Sequence, residues 1–110
     1  MNKLDMASVS HEDGLLEHLR SDPGFATEYL RVALEEEEDP GALLMALRHV
    51  AKAFGGVQHV AKEAGVNRES LYRSLSAKGN PTLKTVRAIL KPMGLRLTVE
   101  KIGEISHNAR

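Results

Sequence analysis

Between Val57 and Ser76 the chain sets out the residue types that read the edges of nucleic-acid bases. Asn67, Arg68, Glu69, Tyr72 and Arg73 are spaced to share the exposed side of one short helix. The chemistry is hydrogen bonding: an arginine guanidinium bonds guanine through two donors, an asparagine amide can bond adenine likewise, and a glutamate accepts from the amine of cytosine. Glu69 has a second use, repelling the wrong sequence, and residue type does not choose between the two. Ser76, Lys78 and Lys84 follow where a phosphate chain should pass, and Gln58 stands where a helix N-terminus and a side-chain amide can share one phosphate. Phosphate contacts set register, whereas base contacts carry sequence information.

These side chains need two helices crossing at a tight turn. Ala61 is small where such helices cross, Gly65 supplies the positive φ of the turn, and Val66 is expected to plug the corner. Leu71 and Leu75 would lock the second helix onto the first. Two helices packed at a glycine turn also occur without any nucleic-acid role, so the charge around them matters. From Ala46 to Pro92 nine basic residues (Arg48, Lys52, Lys62, Arg68, Arg73, Lys78, Lys84, Arg87 and Lys91) face only Glu63 and Glu69. Such a surplus attracts phosphates without reading sequence.

The remaining punctuation predicts further helices. Asp22-Pro23-Gly24 and Asp39-Pro40-Gly41 read as helix starts, with Asp as the cap and Pro in the first helical position. The first helix carries Phe25, Tyr29, Leu30, Ala33 and Leu34 on one face and runs into the acidic block Glu35 to Asp39. The second carries Leu43, Leu44, Leu47, Val50, Ala51 and Phe54, and Gly55-Gly56 stops it. A third spans Val57 to Ala64 with Val60, Ala61 and Ala64 inward, and a fourth runs from the cap Asn67 to about Ser76. After a turn over Ala77 to Pro81, Thr82 caps a fifth helix whose apolar face is Leu83, Val86, Ile89, Leu90 and Met93. Pro92 should kink its end, and Gly94 should stop it.

Beyond Gly94 the period changes to alternation, with Leu95, Leu97 and Val99 on one side, which predicts one β-strand. A lone strand has no partner in its own chain, so pairing with a second copy is expected. The fold class is therefore all-α, about five helices with one C-terminal strand that pairs across a homodimer. Residues 1–21 are expected to be poorly ordered, 22–94 to form the helical domain with the helix-turn-helix at 57–76, 95–105 to be the dimerisation strand, and 106–110 to be a disordered tail.

Composition bounds the rest. A chain of 110 residues, 42% hydrophobic and 27% charged, fits one soluble globular domain. With no cysteine it has no disulfide, thiolate zinc site or thiol nucleophile. Its five histidines are scattered, and no nucleophile elbow, phosphate loop or isolated carboxylate pair is present, so neither metal, cofactor nor enzymatic activity is expected. No apolar run approaches the length of a membrane span and the start lacks a signal-peptide pattern, which makes the cytoplasm the default location. The net charge of zero is a cancellation: three basic residues against eleven acidic ones up to Met45, then twelve against four. Glu35, Glu36, Glu37 and Glu38, followed by Asp39, form the sharpest run, and acids at a helix C-terminus oppose the helix dipole.

The helix-turn-helix with its basic following helix resembles the Cro and cI repressor class. A wider resemblance, over about Leu15 to Glu100, rests on Leu30 to Asp39 with its acidic block and on Asp39-Pro40-Gly41 opening the next helix. It continues through Gly65-Val66-Asn67-Arg68-Glu69-Ser70-Leu71-Tyr72-Arg73 with Leu75-Ser76, then Gly79-Asn80-Pro81-Thr82, and Gly94-Leu95-Arg96-Leu97-Thr98-Val99-Glu100. In that order these segments resemble the family of probable addiction-module antidote proteins. Pro92 and the pair Gly55-Gly56 are departures from it that leave the recognition residues untouched. The resemblance implies a bacterial antitoxin that neutralises a small basic toxin of the RelE and ParE type by direct contact. It also implies repression of its own operon by a homodimer on palindromic double-stranded DNA, with recognition helices about 34 Å apart. The acidic run then reads as a solvated helix end, as a docking patch for a basic toxin, or as repulsion that keeps this end off DNA. A free-standing prophage-type repressor, or an interaction module that binds a basic protein through the acidic half, would share much of this pattern.

Overall fold

Leucines and alanines at helical spacing, divided by Asp-Pro starts and glycine stops, form six α-helices among the described residues. They are α1 (Lys3–Ser21), α2 (Pro23–Glu35), α3 (Pro40–Ala53), α4 (Gly56–Ala64), α5 (Arg68–Ser74) and α6 (Leu83–Leu90), with a 3-10 turn at Lys91–Met93. The computed structural model describes the backbone of residues 3–103 and the side chains of 11–103. No helix among the described residues is long and apolar enough to cross a membrane.

The main core lies where α3, α4, α5 and α6 meet. Leu47, Val50, Val60, Leu71, Leu75 and Ile89 are fully buried there, and Leu30 and Ala33 of α2 close one side. Removing a buried side chain of this size from such a core costs about 2–5 kcal/mol. A second cluster, Leu16, Leu19, Ala26 and Ala53, joins α1 to α2 and α3. Polar contacts tie the same helices. His18 stacks on Phe25 with ring centroids 3.8 Å apart, and Arg20 donates to the carbonyl of Ala53 at 3.1 Å. The hydroxyl of Tyr29 lies 2.8 Å from Nδ1 of His49. Burial lowers the pKa of His49, against the opposing pull of Glu12, and raises that of Tyr29. The tautomer of His49 sets which of the two groups donates in this hydrogen bond.

Several sequence expectations are corrected. The segment 1–21, expected to be poorly ordered, contains α1, because Leu16 and Leu19 fall one turn apart and bury against Ala26 and Ala53. Asp22 caps α2, its carboxylate accepting from the amide of Phe25 at 3.1 Å, but Asp39 makes no side-chain cap although Pro40 starts α3 in the same way. Leu34 and Leu83, placed on apolar faces by their spacing, are 48% and 63% exposed. Thr85 is buried instead on α6, its hydroxyl 3.2 Å from that of the cap Thr82. At Pro92 the helix does not kink but tightens: α6 ends at Leu90, and a 3-10 turn carries the chain to Gly94 at φ 73°.

The C-terminal strand is also absent among the described residues, since 95–102 lie in no ladder. The amide of Leu95 donates back to the carbonyl of Leu90 at 3.2 Å, and Leu95 and Leu97 pack half-buried against the main core. Two of the three residues assigned to dimerisation thus already have apolar partners in their own chain. The third, Val99, is 94% exposed. The tail 106–110 lies outside the described residues.

Candidate nucleic-acid interface

Helix α4 ends where Gly65 adopts φ 72°, and its last carbonyls are closed by two reversed bonds, Gly65 N–H to Lys62 and Val66 N–H to Ala61. Three residues later α5 begins. Leu71 and Leu75, each 1% exposed, pin α5 to the core, and Ala61 at 4% exposure lets α4 approach closely. Arg68, Glu69, Tyr72 and Arg73 consequently all face outward, as their spacing predicted. Their resting contacts are slight: the Arg68 guanidinium lies 5.8 Å from the Tyr72 ring centroid, and Arg73 donates to the hydroxyl of Ser70 at 3.3 Å.

Asn67 is differently occupied. Its side-chain oxygen accepts from the amide of Ser70 at 2.7 Å, capping α5. A two-bond contact with adenine needs that same oxygen as acceptor, so capping and base reading compete for one atom. Val66, expected in the corner of the turn, is 38% exposed and lines a shallow groove with Gln58, His59, Lys62 and Arg68. The structure therefore brings Gln58, at the start of α4, beside the base-reading candidate Arg68. Lys84 joins them from α6: its ammonium lies 3.2 Å from where a Cβ on Gly65 would stand, directly over the turn. Ser76 and Lys78 are exposed at the other end of α5, and the Ser76 hydroxyl donates to the carbonyl of Arg73 at 2.8 Å.

Electrostatics separate the basic residues into two groups. Arg48 is half-buried and donates to the carbonyl of Leu75, which fastens the end of α5 to α3. Lys52 pairs with Glu12 and Lys91 with Glu63, each at 3.4 Å. Lys62, Arg68, Arg73, Lys78, Lys84 and Arg87 have no ion-pair partner among the described residues. Like-charged groups held on one exposed surface raise the local potential and attract a polyanion. From sequence Arg48 and Lys62 were only members of the basic surplus and Gly79 only part of a turn, and His59 had no assigned role. For Gly79 the reason is spatial: a Cβ there would overlap the carbonyl of Ser74, so the loop after α5 lies directly on that helix's last turn. No three His, Asp or Glu side chains converge as a metal site among the described residues.

Residues 7–101 match the family model of the probable addiction module antidote protein. The chain belongs to that family. It is also 36% identical, over 85 residues, to an uncharacterised protein of Haemophilus influenzae, an alignment covering 77% of this chain and 84% of the relative. No solved structure matches it. Family membership assigns the chain an antitoxin role in an addiction module, and the acidic run lies within the matched residues. Glu35 of that run is paired with Arg31 at 2.8 Å, and Glu36 accepts from the amide of Glu38 at 3.0 Å. Glu37 and Glu38 are exposed beyond the helix end.

Proposed function

We propose that this antitoxin is a sequence-specific DNA-binding repressor that regulates its own operon and neutralises a small basic toxin of the RelE and ParE type. It acts by binding and catalyses no reaction. The observation that carries the DNA half is the clustering of unpaired cations around α5, the α4–α5 turn and the start of α6, with Glu69 alone opposing them on α5. In this reading α4, its turn and α5 work as a helix-turn-helix. Arg68, Tyr72, Arg73 and Glu69 meet base edges, Asn67 orients the helix from its cap, and Gln58, Ser76, Lys78 and Lys84 hold phosphates. Lys62 and His59 extend the phosphate track along α4. Two copies bind the two halves of a palindrome. Their contact falls on the exposed end of the C-terminal segment, where Val99 and Ile102 are 94% and 85% exposed.

A titration of the operon's promoter fragment, at several salt concentrations, tests this. Arg73→Ala should lose about 1–3 kcal/mol of discrimination between operator and random DNA. Lys84→Ala should weaken both equally and flatten the salt slope by about one unit, the loss expected for one phosphate contact. Equal losses on both DNAs for Arg73→Ala would remove it from base reading, and no salt-dependent binding of the wild-type chain would refute the repressor.

A further inference from the structure

An open apolar groove of about 480 Å³ runs between α2 and α3, walled by Phe25, Tyr29, Val32 and Met45 with the carboxylates of Glu28 and Glu36 among its lining residues. Single exposed apolar residues are ordinary on protein surfaces. Here Val32 is 55% and Met45 49% exposed in one concavity, so two large side chains lie open side by side. The charge around them is mostly negative. From Asp22 to Leu47 there are seven acidic residues and a single basic one, Arg31. That guanidinium is engaged by Glu28 and by Glu35, and its hydrogen bond to Glu28 holds the Glu28 carboxyl below the usual carboxylate range. The groove is therefore apolar at its floor and anionic around it.

This combination selects its occupant. Nucleic acid and anionic lipid are repelled by the carboxylates. A second copy presenting the same face would set like charge against like, which is costly at an interface. What fits is an amphipathic helix with an apolar stripe for the groove and Lys or Arg on its flanks, the helix-in-groove mode of recognition. We propose that the α2/α3 groove receives a basic amphipathic helix of the partner toxin, with Val32 and Met45 at the contact centre and Glu28 and Glu36 meeting its cations. The inference rests on the antitoxin reading and specifies where the toxin binds. None of the lining residues belongs to α4, α5 or α6, so the groove and the cationic face use different residues.

The test uses the full chain, selectively labelled at the methionine methyl groups, titrated with the purified product of the small reading frame beside its gene. Binding should shift the Met45 methyl resonance and leave that of half-buried Met93 in place. In calorimetry Met45→Glu and Val32→Glu should each weaken toxin binding at least tenfold, the loss expected for a central contact, and Glu36→Lys should weaken it most at low salt. Because both apolar positions are about half exposed, the variants should keep the wild-type melting temperature and promoter affinity. Toxin binding with an unmoved Met45 methyl and full affinity in the variants would overturn the groove while sparing the antitoxin reading. No binding by the wild-type chain would overturn both. Conversion of a dimer to a monomer by Met45→Glu would show the groove to be an interface between copies and would also overturn the proposal.

Discussion

The side-chain oxygen of Asn67 holds the amide of Ser70 at the entrance to α5, and this contact occupies the atom that the proposed base contact would need. The first amides of a helix have no partners within it, and Asn, Ser and Asp supply one through a short side chain. Asn67→Ala should therefore lower stability by about 1 kcal/mol, seen as an earlier denaturant midpoint, while Asn67→Ser should recover most of the loss. If operator discrimination survives in Asn67→Ser, the residue orients the helix and does not read a base. Retained stability in Asn67→Ala would show that the cap contributes nothing. The arginines differ because they hold no structural contact that binding must break. Arg68 and Arg73 rest on an aromatic ring and a hydroxyl, both weak partners that a base edge or phosphate can replace. Arg48 is the opposite case, a cation placed by sequence in the basic surplus but used against the carbonyl of Leu75.

At the scale of elements, α5 is too short to hold its own position. Its seven residues are anchored at the front by Asn67, beneath by Leu71 and Leu75, and at the rear by Arg48 and the loop at Gly79. Isolated helices of this length are not stable in water, so orientation comes from these anchors. Gly79→Ala should push the loop off the last turn of α5 and cost about 1–3 kcal/mol, the usual range for overpacking. It should also weaken operator binding in protein that remains folded, measured by a thermal melt and a promoter titration on the same sample. A variant that melts and binds as wild type would show that the loop does not position the helix. The caps Asp22, Asn67 and Thr82 were legible because each acts within three residues of itself. Asp39 has the same neighbours as Asp22, yet the amide of Ala42, which corresponds to that of Phe25, donates to the main-chain carbonyl of Asp39 at 2.9 Å and so makes no bond to its carboxylate. The segment beyond Gly94 forms no ladder within its own chain among the described residues, and alternation describes which side chains are apolar, not what they touch. Leu95 and Leu97 found the core of α2 and α6.

Across the whole molecule the two charges lie on different elements, which meet where Pro40 and Gly79 line one pocket. The acidic residues of α2 and the following loop surround the α2/α3 groove, while the unpaired cations lie on α4, α5, α6 and the loop between the last two. Exposed charges interact over about 8–10 Å at physiological salt, so salt weakens what either region does at a distance. Dimerisation belongs to this scale. With Leu97 packed on its own chain, a substitution there would test folding, whereas Val99 is open. Val99→Arg should convert a dimer to a monomer in sedimentation without lowering the melting temperature of the monomer. A dimer that survives the change would move the contact elsewhere.

By itself the sequence determined the order of the helices from Pro23 to Leu90, three of their caps, the positive φ at Gly65 and the outward row Arg68, Glu69, Tyr72 and Arg73. All of these depend on helical spacing or on bonds between residues at most a few positions apart. Only the tertiary structure decided that α1 is a packed helix, that Val66 and Leu83 are exposed, that Arg48 serves α5, and that Val32 and Met45 open into one acidic groove. Those outcomes turn on which surfaces meet between helices distant in sequence. Apolar periodicity marks a face as able to be buried, but the number of neighbouring helices decides whether anything covers it.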